Sequence, residues 1–320
     1  MERLRKLSLR VVLGVAALVA LALGGAVLAG ATGDDDDEAP IAAADAQRAR
    51  QASERAVPGG TVGDVDADGE DGAAYEVEVR RPGGGAVDVL LDRSFRVLRT
   101  SAEEDEDGRG APAGAAARPV FSNPTRITNP YLPLSRLRHV ELRGRSDGKA
   151  VRSVRTRLKR TEPFTVHGRR IHAMVVRDAA YADGVLKEIA LDFFAQADDG
   201  TVYYLGEDVD NYDSTGKRVI NHEGQFRYGR DTKTLGVAMP ARPRPGQRFT
   251  FERIPGVGTE TNRVSRLNAT LKVPFGRFDD VLVIVGNAEG EREVKRYGKG
   301  VGLLQERSAE GGVDLVSVRR

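Results

Sequence analysis

DVDADGEDGAAYEVEV, Asp64–Val79, admits two readings that lead to different folds. Asp64 to Gly69 match the D-x-D-x-D-G opening of a calcium loop, which belongs between two helices. The later residues alternate as a strand does, with Tyr75, Val77 and Val79 on one face and Glu76, Glu78 and Arg80 on the other. The calcium reading fails on ligand count. With Asp64 as position 1, position 12 must be a bidentate Glu, and here it is Tyr75, with Glu76 one place late. Strand alternation also begins where the second helix would have to start. The stretch therefore predicts a hairpin with an acidic turn, DADGEDG, and no calcium.

Working outward, Ala42, Ala46, Ala49, Ala52 and Ala56 recur at helical spacing and give a stripe of small residues suited to close packing on a sheet. Pro58-Gly59-Gly60 ends that helix. TVGDV, AAYEVEVRR, GAVDVLLD and FRVLRT follow as strands, with PGGG (82–85) as turn chemistry. The Ala-rich helix, YEVEV at 75–79, VDVLLD at 87–92 and FRVL at 95–98 resemble a PepSY domain over roughly residues 40–100. Asp92 is followed by Arg93-Ser94, where that family has a Thr-Gly-like turn. The resemblance implies an exported or membrane-attached module, in some members an inhibitory pro-segment of a peptidase.

The N-terminus agrees with export. Arg3, Arg5, Lys6 and Arg10 precede an uncharged run, Val11 to Ala31, and Ala29-Gly30-Ala31 offers a cleavage site. The run is long enough to span a bilayer, so residues 1–32 read either as a cleaved signal or as a membrane anchor with the body outside. The 320-residue chain has no Cys, which excludes disulfides, thiolate metal sites and a cysteine nucleophile. Residues 33–38 form an acidic spacer, 39–102 the PepSY-like domain, 103–119 an acidic and then Gly-Ala-Pro linker, and 120–320 a second domain.

Charge divides with these parts. Asp34–Arg118 holds 10 Lys and Arg against 21 Asp and Glu, a net −11, and Pro119–Arg320 holds 35 against 25, a net +10. Export makes nucleic acid a poor partner for the basic half. Anionic lipid, an acidic wall polymer, another exported protein or the chain's own acidic region fit better.

The second domain is read as strands throughout. LRHVELRGR, AVRSVRTRLKR, IHAMVVRD, VLKEIALDFFAQ, TVYYLGED, RFTFER, ATLKVPF, DDVLVIVGN, REVKRYG, GLLQERS and VDLVSVRR are mostly bounded by Gly, Asp, Asn or Pro. His167-Gly168 and Asp199-Gly200 mark tight turns. The fold class is α+β, mostly β: a helix-plus-sheet module followed by a curved antiparallel meander or open barrel. IHAMVV and VLVIV are apolar on both faces and belong in central strands. NPYLPL (129–134), DFFAQADDGTVYYLGEDV (192–209), VPFGRFDDVLVI (273–284) and YGKGVGLLQE (297–306) resemble a class of exported bacterial β-domains that carries no established activity. Its curved sheets look similar to those of periplasmic lipoprotein carriers.

Chemistry-bearing residues are sparse. No G-x-S-x-G, P-loop or H-E-x-x-H occurs. His167 and His172 flank a turn, with His139 and His222 elsewhere and no third ligand evident, so no metal site or cofactor is expected. Glu207, Asp208, Asp210 and Asp213 read as a loop between strands rather than as paired catalytic carboxylates. Phe193, Phe194, Tyr203 and Tyr204 form one aromatic group in the DFFAQ–ADDG–TVYY hairpin, either as core or as the lining of a ligand site. Alternation in VRSVRTRLKR puts Arg155, Arg157 and Lys159 on a wet face that, with Arg143 and Arg145, makes a basic surface. The function expected is non-catalytic binding or regulation at the outer membrane face or in the wall. The alternative is a carrier of a lipid or other apolar ligand, and a wall-glycan hydrolase comes last.

Overall fold

The computed structural model describes residues 41–66, 73–81, 86–102, 118–288 and 291–320. They fall into two compact units, one holding residues 41–102 and the other residues 118–320. Among the described residues no helix is long and apolar enough to cross a membrane, and the apolar run 11–31 lies outside them.

In the first unit α1 (Ala43–Ala56) precedes a four-stranded antiparallel meander: β1 (Thr61–Asp66), β2 (Tyr75–Arg80), β3 (Ala86–Leu91) and β4 (Val97–Ala102). The alanine stripe does what its small side chains allow. Ala49 and Ala52 are buried and let the helix lie close on Val77, Val79, Val87, Val89 and Leu91. β1 and β2 pair antiparallel, with Val62 opposite Val79 and Val65 opposite Val77, which is the hairpin expected of Asp64–Val79. Its turn residues 67–72, and PGGG, lie outside the described residues. After β3 the Asp92 carboxylate accepts from the amides of Ser94 (2.8 Å) and Arg96 (3.0 Å), a turn built by its own side chain.

The second unit is one antiparallel sheet of 14 strands. In chain order they are β5 (His139–Ser146), β6 (Lys149–Val166), β7 (Arg169–Ala182), β8 (Val185–Gln196), β9 (Val202–Tyr212), β10 (Val219–Asn221), β11 (Phe226–Arg227), β12 (Gly236–Met239), β13 (Arg248–Ile254), β14 (Gly258–Val273), β15 (Gly276–Ala288), β16 (Glu291–Gly298), β17 (Gly302–Ser308) and β18 (Gly311–Arg319). Neighbours in sequence are mostly neighbours in the sheet. Type I′ turns at Asp147-Gly148, His167-Gly168 and Asp183-Gly184, with both residues at positive φ, join β5 to β8. The meander has one long-range closure, where β18 pairs with β5 and Leu315 sits opposite Leu142. β10, β11 and β12 line up along β9, and β13 is the far edge. The sheet is not closed into a barrel by a ladder, although its two ends come side by side. A Cβ on Gly236 of β12 would lie 1.9 Å from the Phe251 carbonyl oxygen of β13, and the Thr232 hydroxyl donates to the Arg253 carbonyl at 2.5 Å.

Apolar side chains pack on both faces of β6–β9. Met174, Val176, Phe194 and Tyr204 face inward to a core shared with Val264, Leu282, Leu304 and Leu315 on the opposite strands. Ala173, Val175, Phe193 and Leu205 face outward to a second core with Phe164 and Ile171. That is why IHAMVV is apolar at every position. The segment before β5 adds Ile127, Tyr131, Leu132 and Leu137 to the inner core. It is pinned there by Asn129, whose side-chain amide donates to the carbonyls of Gly200 (3.1 Å) and Pro240 (2.9 Å).

Candidate functional site

β8 and β9 set the site's geometry. Phe194 pairs with Tyr204, and two positions along β8 Asp192 pairs with Glu207, so β9 carries an extra residue between the two pairs. Gly206 absorbs it at φ +113°, where a Cβ would stand 2.1 Å from the Phe226 carbonyl oxygen. The bulge changes the phase of β9. Tyr204 faces inward before it and Glu207, only 2% exposed, faces inward after it.

The same inward face carries charged and polar groups from many strands. β6 contributes Arg155, β7 Asp178, β8 Glu188 and Asp192, β14 Glu260 and Asn262, β16 Glu293 and Lys295, and β17 Glu306. Arg155 Nε donates to Asp178 at 2.8 Å, and the Ser153 hydroxyl donates to the other Asp178 oxygen at 2.7 Å. The Tyr204 hydroxyl donates to Asp192 at 3.1 Å. Lys295 Nζ lies 2.6 Å from Glu293 and 3.6 Å from Glu260. Asn262 donates from its side-chain nitrogen to Glu260 at 3.3 Å. Four buried atoms in this group have no hydrogen-bond partner among the described residues: Arg155 Nη2, Glu260 Oε2, Asn262 Oδ1 and Glu306 Oε2.

Burial dominates the electrostatics. It pushes the Glu188 carboxyl up to about 8, aided by the negative charges of Asp178 and Asp192. It pushes Asp192 up to about 7, with Asp178 adding to the rise and Arg155 opposing it. Glu207 and Glu306 are held well above the usual carboxylate range, first by burial and then by neighbouring carboxylates. Glu293 goes the other way: burial would raise it, but Lys295, a hydrogen bond with Glu306 and the charge of Arg155 together outweigh that. Buried carboxyls without a matching cation keep their protons.

The residues read from the sequence are scattered rather than gathered. The four rings do not form one group. Phe194 and Tyr204 pack inward, their centroids 5.2 Å apart, and Tyr204 also stacks on Phe251 at 4.8 Å. Phe193 points outward against Phe164, and Tyr203 meets Phe121. The basic surface is corrected as well. Arg143 and Arg145 are exposed on the outward face of β5, and Lys159 is exposed on β6. Arg155 and Arg157 are on the inward face of β6, because their cross-strand partners Asp178 and Val176 face inward. The Arg155 side chain is 11% exposed, and Arg157 donates to the Leu137 carbonyl. Nor are Glu207, Asp208 and Asp210 a loop, since β9 runs on to Tyr212. Asp213 alone makes the turn, its carboxyl lowered to about 2 chiefly by the Thr215 hydroxyl. His167 occupies its turn while His172 lies opposite Pro163, so the two are not cross-strand partners.

Outside the inner face, Arg227 of β11 bridges Asp208 and Glu162 and lies 4.7 Å over the Phe193 ring. Of the inward carboxylates sequence reasoning singled out only Glu207, and placed it in a loop. The one local signal was Glu188 and Asp192 at the same strand phase as Ala190 and Phe194.

No protein-family model matches the chain, and no curated protein matches it. Among solved structures, the signal-sequence-deleted Rv0603 protein of Mycobacterium tuberculosis, determined by NMR, is 46% identical over 24% of this chain and 95% of its own length, with a TM-score of 0.18. At that score the similarity carries nothing about fold or function.

Proposed function

We propose that this is an exported, non-catalytic binding or regulatory protein whose β domain holds a small polar ligand against its inner face. The observation that carries the reading is the set of unpartnered buried polar atoms there, above all Arg155 Nη2 and Glu306 Oε2. Each such atom costs about 1–3 kcal/mol, and more when charged. Apolar side chains of similar volume in these positions would be neutral or stabilising. A group that satisfies those atoms gives the arrangement a purpose that stability does not.

Two other readings draw less support. An apolar carrier needs rings free to line a cavity, whereas Phe194 and Tyr204 are packed against protein rings. A wall hydrolase needs two carboxyls pushed apart in pKa and set about 5 Å or more apart, and the pair that splits here, Glu293 lowered and Glu306 raised, is in direct hydrogen-bond contact. Export rests on the N-terminal sequence and the absence of Cys.

Mass spectrometry of the full chain tests binding, and fractionation of the source cells tests export. Under non-denaturing conditions the chain should carry a bound small molecule that denaturation removes, and Arg155→Met should carry much less. Equal native and denatured masses would overturn the binding reading. Recovery of the protein from the cytoplasmic fraction of its source cells would overturn export.

A further inference from the structure

We propose that one end of the β domain, where β5 begins and β18 ends, docks on an anionic membrane surface and sets Phe275 into its head-group layer. This goes beyond the binding reading above and does not involve the inner face.

Antiparallel pairing decides what shares that end. β5 starts there, β18 stops there, and β14 turns back into β15. Backbone hydrogen bonds tie these parts together. The Arg138 amide donates to the Arg319 carbonyl at 2.8 Å, and the Arg157 amide to the Arg138 carbonyl at 3.1 Å. The Phe275 amide donates to the Leu315 carbonyl at 3.1 Å, so the β14–β15 turn lies against β18. Beyond Arg157, Leu158, Lys159 and Arg160 of β6 stand against Val175 alone, a bulge that leaves Lys159 and Arg160 exposed.

The cations of this end are not offset. Arg136, Arg138, Lys159, Arg160, Arg319 and Arg320 are exposed, and none makes an ion pair among the described residues. Exposed arginines elsewhere do: Arg143 meets Glu141, Arg218 meets Asp213 and Arg230 meets Asp231. Residues 119–140, 151–161 and 315–320 hold no Asp or Glu. The acids of neighbouring turns are already engaged, Asp198 by Ser122, Asp279 by Arg277 and Asp280 by Lys299.

The apolar part is Phe275, 41% exposed in the β14–β15 turn, with Lys272 opposite Arg277 behind it. Its ring stacks on Phe278, which packs against the inner core. An exposed ring on a packed support, among cations, matches a surface that is negative outside and apolar beneath. An acidic polymer would meet the cations and leave the ring in water.

The chain has no Trp, so Phe275→Trp gives the full chain a single fluorescent reporter. Ile220→Trp is the control, at a position 54% exposed on β10, beside the far end of β9. Both are mixed with vesicles of bromine-labelled lipid, either phosphatidylcholine alone or an equal mixture with phosphatidylglycerol. Phe275→Trp should be quenched on the mixed vesicles and far less on the neutral ones, and Ile220→Trp on neither. The position of the reporter reads docking of this end, whatever attachment residues 1–31 add. Lys159→Gln and Arg160→Gln in the reporter chain should each lower the docking equilibrium about fivefold. In the unsubstituted chain, acetylation of Lys159 should slow several-fold on mixed vesicles while that of Lys149, exposed at the opposite end of β6, does not. Equal quenching of Phe275→Trp on both kinds of vesicle would overturn the proposal, as would unchanged acetylation of Lys159. Protection of Lys159 without vesicles, removed by salt, would assign this end to the chain's own acidic region and overturn it too.

Discussion

Asp192 and Glu207 stand opposite each other across β8 and β9, two inward carboxyls beside the Tyr204 hydroxyl, which donates to Asp192 at 3.1 Å. Two ionised groups so placed, in so little water, repel each other strongly. The pair is stable because it titrates late, and this makes the whole domain sensitive to pH.

Stability should therefore fall as pH rises from 5 to 8. Glu188 ionises at about 8 in the native chain against 4.5 ordinarily, and Asp192 at about 7 against 3.8. Across that window the native state holds protons that the unfolded chain has lost, so raising the pH favours unfolding. One pKa unit is worth about 1.4 kcal/mol, so the two groups together move stability by several kcal/mol. Urea unfolding at pH 5, 6.5 and 8 measures this, and Glu188→Gln should flatten the slope. Stability that is level or rises with pH would contradict the burial of these groups.

Gly206→Ala should destabilise the β domain by more than about 3 kcal/mol, because strain at positive φ adds to a clash with backbone. The clashing atom is the Phe226 carbonyl oxygen, 2.1 Å from the new Cβ, and it is held in the β9–β11 ladder. Chemical denaturation gives the number. Gly148→Ala is the control: its φ is also positive, at +74°, but nothing lies within 4 Å of its Cβ. It should cost only about 1 kcal/mol.

Asn129→Ala removes two donors to Gly200 and Pro240 and an acceptor for the Tyr131 amide at 3.0 Å, all at a residue 3% exposed. The expected loss is about 2–4 kcal/mol. Amide exchange should accelerate at Leu132, Ser135 and Leu137, with little change in β15 and β16. Uniform acceleration would mean that Asn129 supports the whole sheet rather than its own segment.

Arg227→Lys should cost about 1–3 kcal/mol although charge is kept. The guanidinium serves Asp208 and Glu162 with separate nitrogens and covers Phe193, which a single ammonium does not reproduce. A double-mutant cycle with Glu162→Gln measures the coupling. No coupling would mean that the contact with the ring carries the effect.

The strand-by-strand architecture was legible because turn chemistry is local: His167-Gly168 and Asp199-Gly200 fix hairpins whatever packs on them. The inner charge was not legible. VLKEIALDFFAQ has apolar residues at both phases, so its alternation does not say whether Leu191 and Phe193 or Ala190 and Phe194 face inward. VRSVRTRLKR misleads more directly. Its even-numbered Val154 and Leu158 look like a core face, with Arg155 opposite in water. In a sheet packed on both faces, Leu158 belongs to the outer core and Arg155 to the interior. The bulge at Gly206 then shifts the phase by one residue, and apart from the glycine itself nothing nearby in the sequence marks it.

The pairing of β18 with β5 bears on how the β domain assembles. From β5 to β9 and from β13 to β18 each strand finds its partner a short hairpin away, so both runs can form early from local contacts. Joining Ser146 to Gly311 must instead close a loop through nearly the whole domain, and that entropy is spent before the contact returns anything. Docking of the two runs along β5 and β18 is therefore the slow step. Because the Arg138 amide donates to the Arg319 carbonyl at 2.8 Å, the first and last strands also begin and end together. A circular permutant that links Arg320 to the start of the domain and opens it between Met239 of β12 and Arg248 of β13, where no ladder joins the strands, makes that step local, and it should fold faster than the native order.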